Sequence, residues 1–298
     1  MTKALTLHKT AHPHKEIAKK FEHIFGIDDH KFQVLSMLQM ILDKSSYSKW
    51  KDQHHKGVRI FADDHLVVSP LIIFSGDVGC GKTELAQTVG TPLAHKMGGK
   101  TIHCFETPSD IRGGGHVGEL STRITAAFEQ AKAQIAKGEY GILIIDEGDD
   151  LATSREQNQA HHEDRAGVNV LIKELERLAI EKINLAVILI TNRLSALDPA
   201  VIRRASLNLD FKRPDPAQLK PFFEVLLTGT NPTKEQLASL IEICEAKSPK
   251  FNFSDIRRKA FVQAFVEAIH SNKPFGAEAL GEKLKTLIPS PVFRNPEL

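Results

Sequence analysis

The sequence predicts an α/β protein, with a parallel five-stranded sheet flanked by helices and followed by a small all-helical domain. Short apolar segments alternate with helical patterns as far as residue 211, which is typical of a parallel sheet covered on both faces. Several of these segments are continuous apolar runs, as strands buried on both faces require. The predicted strands are Leu71–Phe74, Thr101–Phe105, Ile142–Ile145, Leu185–Ile190 and Leu207–Phe211.

Prolines at positions 214 and 216 end the alternation, and only helical patterns follow them. We divide the chain into a flexible tail (1–14), a large α/β domain (15–213), a small helical lid domain (214–288) and a C-terminal tail (289–298). In the lid, Thr233 and Gln236 form a capping-box pattern, and Ser254 is a good N-cap residue.

Composition narrows the class of protein. The chain has 298 residues, of which 41% are hydrophobic and 26% charged, as in ordinary globular proteins large enough for two domains. A net charge of +2 disfavours a nucleic-acid partner. Three scattered cysteines indicate reduced thiols, and no apolar run is long enough for a signal peptide or a membrane span. We therefore expect a cytoplasmic protein.

A glycine-rich loop follows the first predicted strand. From Gly76 the chain reads glycine, four residues, glycine, lysine, threonine, which is the phosphate-binding loop pattern. Glycines let backbone N–H groups turn towards phosphates, Lys82 brings a positive charge to them, and the Thr83 hydroxyl can ligate Mg²⁺. A helix begins here, so its N-terminal dipole also favours an anion. The predicted nucleotide-binding residues are Gly76, Asp77, Val78, Gly79, Cys80, Gly81, Lys82, Thr83 and Glu84.

Two further predicted strands end in polar residues suited to hydrolysis of ATP. Ile142–Ile145 leads into Asp146, which is placed to hold Mg²⁺ together with Thr83. Glu147 comes next and can polarise the attacking water as a general base. Another strand leads into Asn192, which can reach the γ-phosphate or orient the water. We therefore predict ATP and Mg²⁺ as cofactors.

The segment Thr191–Arg204 carries a family resemblance. It contains Thr-Asn-Arg and then Leu-Asp-Pro-Ala-Val-Ile-Arg-Arg, which is similar to the second region of homology in AAA+ ATPases. This resemblance implies that Asn192 is the sensor-1 residue, and that Arg203 is an arginine finger for a neighbouring subunit. The protein is then a ring, expected to be a hexamer. The family's second arginine falls on Ser206 here, and Arg204 is its candidate replacement.

Two further segments resemble nucleotide contacts of the same family. In the lid, Phe253–Arg258 looks like the sensor-2 segment, with Arg257 as the expected γ-phosphate contact and Arg258 as the alternative. Near the N-terminus, Gly26-Ile27 resembles the stretch that packs beside adenine, which makes Ile27 a predicted nucleotide contact.

Asp164–Gly167 and Arg204–Pro214 are similar to the pachytene-checkpoint family of AAA+ remodellers, which unfold part of HORMA-domain proteins. Because little chain precedes the core helices, the sequence resembles the short bacterial branch associated with cyclic-oligonucleotide antiphage signalling. The resemblance implies a ring that dismantles a HORMA-domain client, itself a partner of a nucleotidyltransferase, and thereby switches the system off.

Remodelling ATPases grip peptide with loops that line the pore of the ring. The corresponding position here is Gly113–Glu119, with His116 in place of the usual aromatic residue and Val117 as its apolar neighbour. Ser154–Asp164 is the candidate second pore loop. Plain solvated loops are the alternative for both segments.

Two other functions stay open at this point. Three consecutive basic residues, 257–259, and the basic tail would suit a nucleic-acid motor or a helicase or clamp loader, although no aromatic residues are interleaved with a basic stripe. A nucleotide-gated scaffold without hydrolysis is the second alternative. Asp146, Glu147 and Asn192 argue against the scaffold.

Overall fold

The computed structural model describes residues 5–58, 68–109, 111, 118–148 and 162–292. The strands are β1 (His8–His12), β2 (Leu71–Gly76), β3 (Ile102–Glu106), β4 (Tyr140–Ile145), β5 (Leu185–Ile190) and β6 (Ala205–Phe211). The helices are α1 (Lys15–Glu22), α2 (Asp28–Leu42), α3 (Lys44–His54), α4 (Lys82–Thr88), α5 (Gly90–Lys96), α6 (Glu119–Ala133), α7 (His162–Ile180), α8 (Pro199–Ile202), α9 (Pro216–Leu226), α10 (Lys234–Glu245), α11 (Phe261–His270) and α12 (Ala277–Thr286). Leu194–Ala196 is a 3₁₀ turn and Asp255–Ala260 a π-helical segment.

The strands form one sheet in the order β1-β3-β4-β5-β2-β6. The pairs β2–β5, β3–β4 and β4–β5 are parallel, and all five predicted strands are present. Phe74 lies opposite Ile190, so β2 and β5 end side by side. The carboxyl ends of parallel strands are where α/β proteins place ligands, and the polar residues that follow β4 and β5 lie at this edge.

A sixth strand corrects two sequence predictions. β1 pairs antiparallel with β3, from His8 opposite Glu106 to His12 opposite Ile102. The sheet therefore has six strands, and the flexible tail predicted for residues 1–14 is wrong for 8–12. His12 is buried, with its Nδ1 2.8 Å from Thr91 Oγ1. The sequence of this strand, His-Lys-Thr-Ala-His, has no apolar run that would have predicted it.

The described residues fall into two compact units. The first comprises the residues up to Glu22, Asp29–Ser75 and Thr83–Asp210. Its core packs the central strands against α6 and α7. The apolar face of α6 is buried, and it consists of Leu120, Ile124, Ala127, Phe128 and Ala131.

The second unit comprises His23–Asp28, the phosphate loop Gly76–Lys82 and the described residues from Phe211 onward. Its core is formed by residues of α9, α10, α12 and the π-helical segment, and Phe261 of α11 packs against it. The capping box predicted at Thr233 and Gln236 is present, with both reciprocal hydrogen bonds. Within this unit the phosphate loop packs with helical segments that are distant in sequence.

Candidate active site

Lys82 is the first residue of α4 and is buried, with 5% of its surface exposed. Its Nζ donates hydrogen bonds to the carbonyl oxygens of Gly76, at 2.7 Å, and Asp77, at 2.8 Å. These contacts hold the ammonium group against the first turn of the loop. A buried lysine at this place supplies the positive charge that a bound triphosphate requires.

Gly76 and Gly79 are required by the path of the loop. Both adopt positive φ, 121° and 75° respectively, where residues with a side chain are strained. A Cβ atom on Gly76 would lie 2.2 Å from the carbonyl oxygen of Phe211. A Cβ atom on Gly79 would lie 2.8 Å from Asn252 Oδ1 and 2.9 Å from Ser254 Cβ. Any larger residue at either position would displace the loop from Phe211 or from Asn252 and Ser254.

The predicted sensor-2 segment begins against this loop. The Ser254 amide donates a hydrogen bond to the Gly79 carbonyl oxygen, at 3.2 Å. The Ser254 side chain makes no capping hydrogen bond, so its predicted N-cap role is wrong. Asn252 takes this role instead, since its Oδ1 accepts the Asp255 amide at 2.7 Å. Arg257 and the alternative residue Arg258 lie on the π-helical segment and are both exposed.

Ile27 is buried next to Gly81 of the loop. A Cβ atom on Gly81 would lie 3.8 Å from Ile27 Cδ1, which is ordinary van der Waals contact. The stretch that resembles an adenine-binding segment therefore lies beside the phosphate loop.

Cys80 is buried, and its Sγ lies 3.8 Å from the Val78 carbonyl oxygen. Burial and the negative charge of Asp77 raise the pKa of the Cys80 thiol to about 12. The thiol is therefore neutral and unreactive near pH 7, and this position serves the loop through its backbone.

In the first unit, the predicted Mg²⁺ ligands meet. Thr83 Oγ1 donates a hydrogen bond to Asp146 Oδ2, at 2.9 Å, and Asp146 Oδ1 accepts the Glu147 amide at 2.8 Å. A hydroxyl and a carboxylate at this separation provide two oxygen ligands of the type that Mg²⁺ prefers. The residues present fit the ion.

Glu147 follows β4 in an unusual backbone conformation. Its φ is 56°, and a residue with a side chain adopts that region at a cost of about 1–3 kcal/mol. The next residue, Gly148, packs against β5, since a Cβ atom there would lie 2.7 Å from Leu189 Cδ1. The sharp turn leaves the Glu147 side chain exposed, where it can reach a water molecule.

Asn192 lies just beyond the end of β5 and is half-buried. The preceding Thr191 anchors this end, because its amide donates to the Phe74 carbonyl oxygen at 2.9 Å and its Oγ1 accepts the Arg193 amide at 3.0 Å. Asn192 is therefore held at the edge of the sheet to which Glu147 belongs.

The two adjacent arginines have different environments. Arg204 donates to Glu176 Oε1 through Nη2, at 2.7 Å, and to the Ala200 carbonyl oxygen through Nη1, at 3.0 Å. Arg203 is exposed, and its guanidinium forms no hydrogen bond or ion pair with any residue that the structure describes. Of the two, Arg203 is the more exposed.

Several predicted residues lie outside the described part of the chain. They are His116 and Val117 of the first candidate pore loop and residues 154–161 of the second.

Three residues of the site were missed by sequence reasoning. Gly148 and Asn252 act through close packing that no local pattern indicates. Arg213 donates through Nε to Asp77 Oδ2 within the phosphate loop. An arginine next to Pro214 carries no sequence signal for that contact.

The glycine loop at the end of a central strand, together with the Thr83–Asp146 pair, defines a P-loop nucleoside triphosphatase. The model of the ATPase family associated with various cellular activities (AAA) matches residues 72–213. CD-NTase-associated protein 6 from Escherichia coli (strain MS 115-1) is 36% identical over 292 residues, which cover 94% of this chain and 93% of that protein.

Two solved structures are similar along almost the whole chain. One chain of the E. coli MS115-1 HORMA:CdnC:Trip13 complex has a TM-score of 0.89 and 33% identity, and the match covers 97% of this chain and 98% of that one. Rhizobiales Trip13 has a TM-score of 0.74 and 26% identity, with 95% and 98% covered. The chain belongs to the AAA ATPase family, among the relatives of CD-NTase-associated protein 6, and the predicted family is confirmed.

Membership of this family implies nucleotide binding and ATPase activity in general terms. Within the described residues, no helix is long and apolar enough to cross a membrane.

Proposed function

We propose that this protein is an ATP-hydrolysing remodelling ring that disassembles or partly unfolds a HORMA-domain partner, as a negative regulator of an antiphage nucleotide-signalling system. The observation that supports this most strongly is the match, over 97% of the chain, to one chain of a HORMA:CdnC:Trip13 complex. The match extends well beyond residues 72–213, to which the general AAA model is confined. The basic residues 257–259 would suit the alternative, a nucleic-acid motor, but the net charge of +2 disfavours it.

In the proposed site, residues 76–84 bind the triphosphate of ATP, and Ile27 packs near its base. Thr83 and Asp146 would hold Mg²⁺, which would neutralise charge on the phosphates. Glu147 accepts a proton from the attacking water, and Asn192 orients that water. Arg257 contacts the γ-phosphate from the lid.

The ring is needed because one part of this site comes from the neighbouring protomer. Arg203 has no role among the described contacts of its own chain, whereas Arg204 is held by Glu176 and Ala200. We assign Arg203 as the arginine finger, which can supply about 10³–10⁵ in rate. Arg204, the candidate for the family's second arginine, contributes less than Arg203 because its guanidinium is held at the end of α8.

The domain arrangement follows from the same proposal. Residues 15–213 act as the ATPase domain and 214–288 as its lid, so that hydrolysis changes the lid's contacts with nucleotide.

His116 and Val117 contact the client in the pore. The client is a HORMA-domain protein bound to a nucleotidyltransferase, and the ring is a hexamer.

A trapping experiment with Glu147→Gln tests this function. The variant should bind ATP normally, since its fold and loop are intact, but its hydrolysis should fall by about 10²–10⁴. With ATP it should retain a purified HORMA-domain protein of such a signalling system, whereas the wild type should release that protein in a disassembled form. Retention of the HORMA-domain protein is measured by pull-down, and hydrolysis is measured as ATP turnover.

Glu181→Gln is the matched control, because Glu181 is a surface carboxylate paired with Arg177 at 2.8 Å. This control should behave as the wild type. Normal turnover in Glu147→Gln would contradict the catalytic assignment, and a hydrolysing ring that never engages the HORMA-domain protein would contradict the client.

A further inference from the structure

Asp77 places a carboxylate inside the loop that binds phosphates. Its side chain is 11% exposed, and its Oδ1 accepts the Val78 amide at 2.9 Å. Its own amide donates to the Phe211 carbonyl oxygen at 3.0 Å. A negative charge at this place would repel a bound triphosphate unless a cation neutralises it.

Arg213 is that cation. Its side chain is 9% exposed, and its Nε donates to Asp77 Oδ2. Because Arg213 lies two residues after Phe211, the end of β6 holds Asp77 through both a backbone and a side-chain hydrogen bond. A charge-assisted contact of this kind, largely shielded from water, is stronger than an exposed ion pair.

The same guanidinium also holds the C-terminal segment Ile288–Pro291. Its Nη2 donates to the carbonyl oxygens of Ser290, at 2.9 Å, and Pro291, at 3.0 Å, while Nη1 donates to the Lys250 carbonyl oxygen. The planar guanidinium of Arg213 is therefore a fork of donors that hydrogen-bonds both the phosphate loop and the C-terminal segment.

A buried acid fixes the segment from its other side. Asp255 accepts the Ser290 amide at 2.9 Å, Ser290 Oγ at 2.6 Å and Lys259 Nζ at 2.7 Å. Burial alone would raise the pKa of Asp255, but the hydrogen bonds from Lys259 and Ser290 outweigh it and lower the pKa. Asp255 is thus ionised near pH 7 and keeps Ser290 in place.

We propose that Arg213 is a positioning residue for nucleotide binding, which neutralises Asp77 and couples the phosphate loop to the C-terminal segment Ile288–Pro291. The Arg213 contacts with Asp77, Ser290 and Pro291 lie within one compact unit and share one planar group. A change in the loop on nucleotide binding therefore alters the order of the segment, and the segment in turn alters nucleotide affinity, since coupling is reciprocal.

The affinity for ADP in a double-mutant cycle tests the first half. Arg213→Gln should weaken ADP binding about tenfold or more, since it removes the guanidinium that pairs with the Asp77 carboxylate beside the phosphates. In the Asp77→Asn background the same Arg213→Gln change should cost little further affinity, because no negative side chain remains there to be neutralised. Arg213→Lys keeps the charge without the fork, so it should lie between the wild type and Arg213→Gln.

Arg177→Gln is the matched control, because Arg177 is half-exposed and paired with Glu181 on the surface. It should leave the affinity unchanged. Melting curves without nucleotide establish that each variant is folded. Should Arg213→Gln fail to fold, the comparison of Arg213→Lys in the presence and absence of Asp77→Asn gives the same test. Equal loss of affinity in both Asp77 backgrounds would overturn the neutralising role.

Hydrogen exchange of the Ser290 amide tests the second half. ADP should slow exchange in the C-terminal peptide of the wild type, and this protection should be lost in Arg213→Gln at saturating ADP. Protection that is absent from the wild type, or unchanged in Arg213→Gln, would overturn the coupling.

This inference rests on nucleotide binding in the proposed function, and the wild-type affinity for ADP separates the two. A wild type that binds no ADP contradicts the proposed function. If the wild type binds ADP, but no more tightly than Arg213→Gln does, only the role of Arg213 is contradicted.

Discussion

Acidification should destabilise the first unit through one buried histidine on β1. His12 is 2% exposed, and its Nδ1 lies 2.8 Å from Thr91 Oγ1. Its Nε2 is buried and has no hydrogen-bond partner among the residues described. The ring also packs closely on Gly90, where an added Cβ atom would lie 2.5 Å from His12 Cδ2. A protonated imidazole has no room for hydration here.

The size of the effect follows from the pKa of His12. Burial first, and then the charges of His14 and His103, lower this pKa from 6.5 to about 4. Each factor of ten in proton affinity corresponds to about 1.4 kcal/mol, so the histidine accounts for about 3 kcal/mol at most. The unfolded chain binds the proton more tightly. The stability is therefore complete above about pH 6.5 and is lost as the pH falls towards about 4.

Chemical denaturation at several pH values between about 7.5 and 4.5, repeated with His12→Gln, measures this effect. The variant loses the titrating group but leaves every other acid and base in place. The free energy of unfolding should therefore fall more steeply with decreasing pH in the wild type than in His12→Gln. Parallel curves for the two proteins would refute the argument that His12 is buried in its neutral form.

Three further substitutions probe the site. Gly148→Ala should destabilise the protein by about 1–3 kcal/mol in urea unfolding, because its Cβ overlaps the end of β5; unchanged stability would contradict that packing. Asn192→Ala should lower kcat by about 10²–10³ with little change in ADP affinity, and a loss of affinity alone would contradict its role. Arg204→Ala breaks the half-exposed pair with Glu176, so unfolding should change by less than about 1 kcal/mol while ATPase activity persists. A loss of ATPase activity as large as that in Arg203→Ala would indicate that Arg204 is the arginine finger.

The strands and the phosphate loop were predictable because their signals are local. β2 is a buried apolar strand followed by a fixed spacing of glycines and Lys82, and that pattern needs no tertiary contact to be read. Asp146 and Glu147 were found in the same way, as a carboxylate pair at the end of an apolar strand. The contact between Thr83 and Asp146 follows from parallel strands ending at one edge of the sheet.

The features that were missed depend on contacts between distant parts of the chain. β1 is a polar edge strand that pairs on one side only, so its sequence shows neither alternation nor an apolar run. Asn252 is buried against Gly79, and Arg213 bonds Asp77, although more than a hundred residues separate the members of each pair. Ser254 reads as a helix cap, but Asn252 takes that role because the segment continues as a π-helix.

The central claim is that each ATP site is completed by an arginine from the next protomer. Its most direct test is ATP hydrolysis by mixtures of Arg203→Ala and Lys82→Ala protein, each of which should be inactive alone. In an equal mixture, a Lys82-bearing site meets an intact Arg203 at about one interface in four, so about a quarter of wild-type activity should return. Activity that stays at the level of the separate variants at every mixing ratio would contradict the shared site.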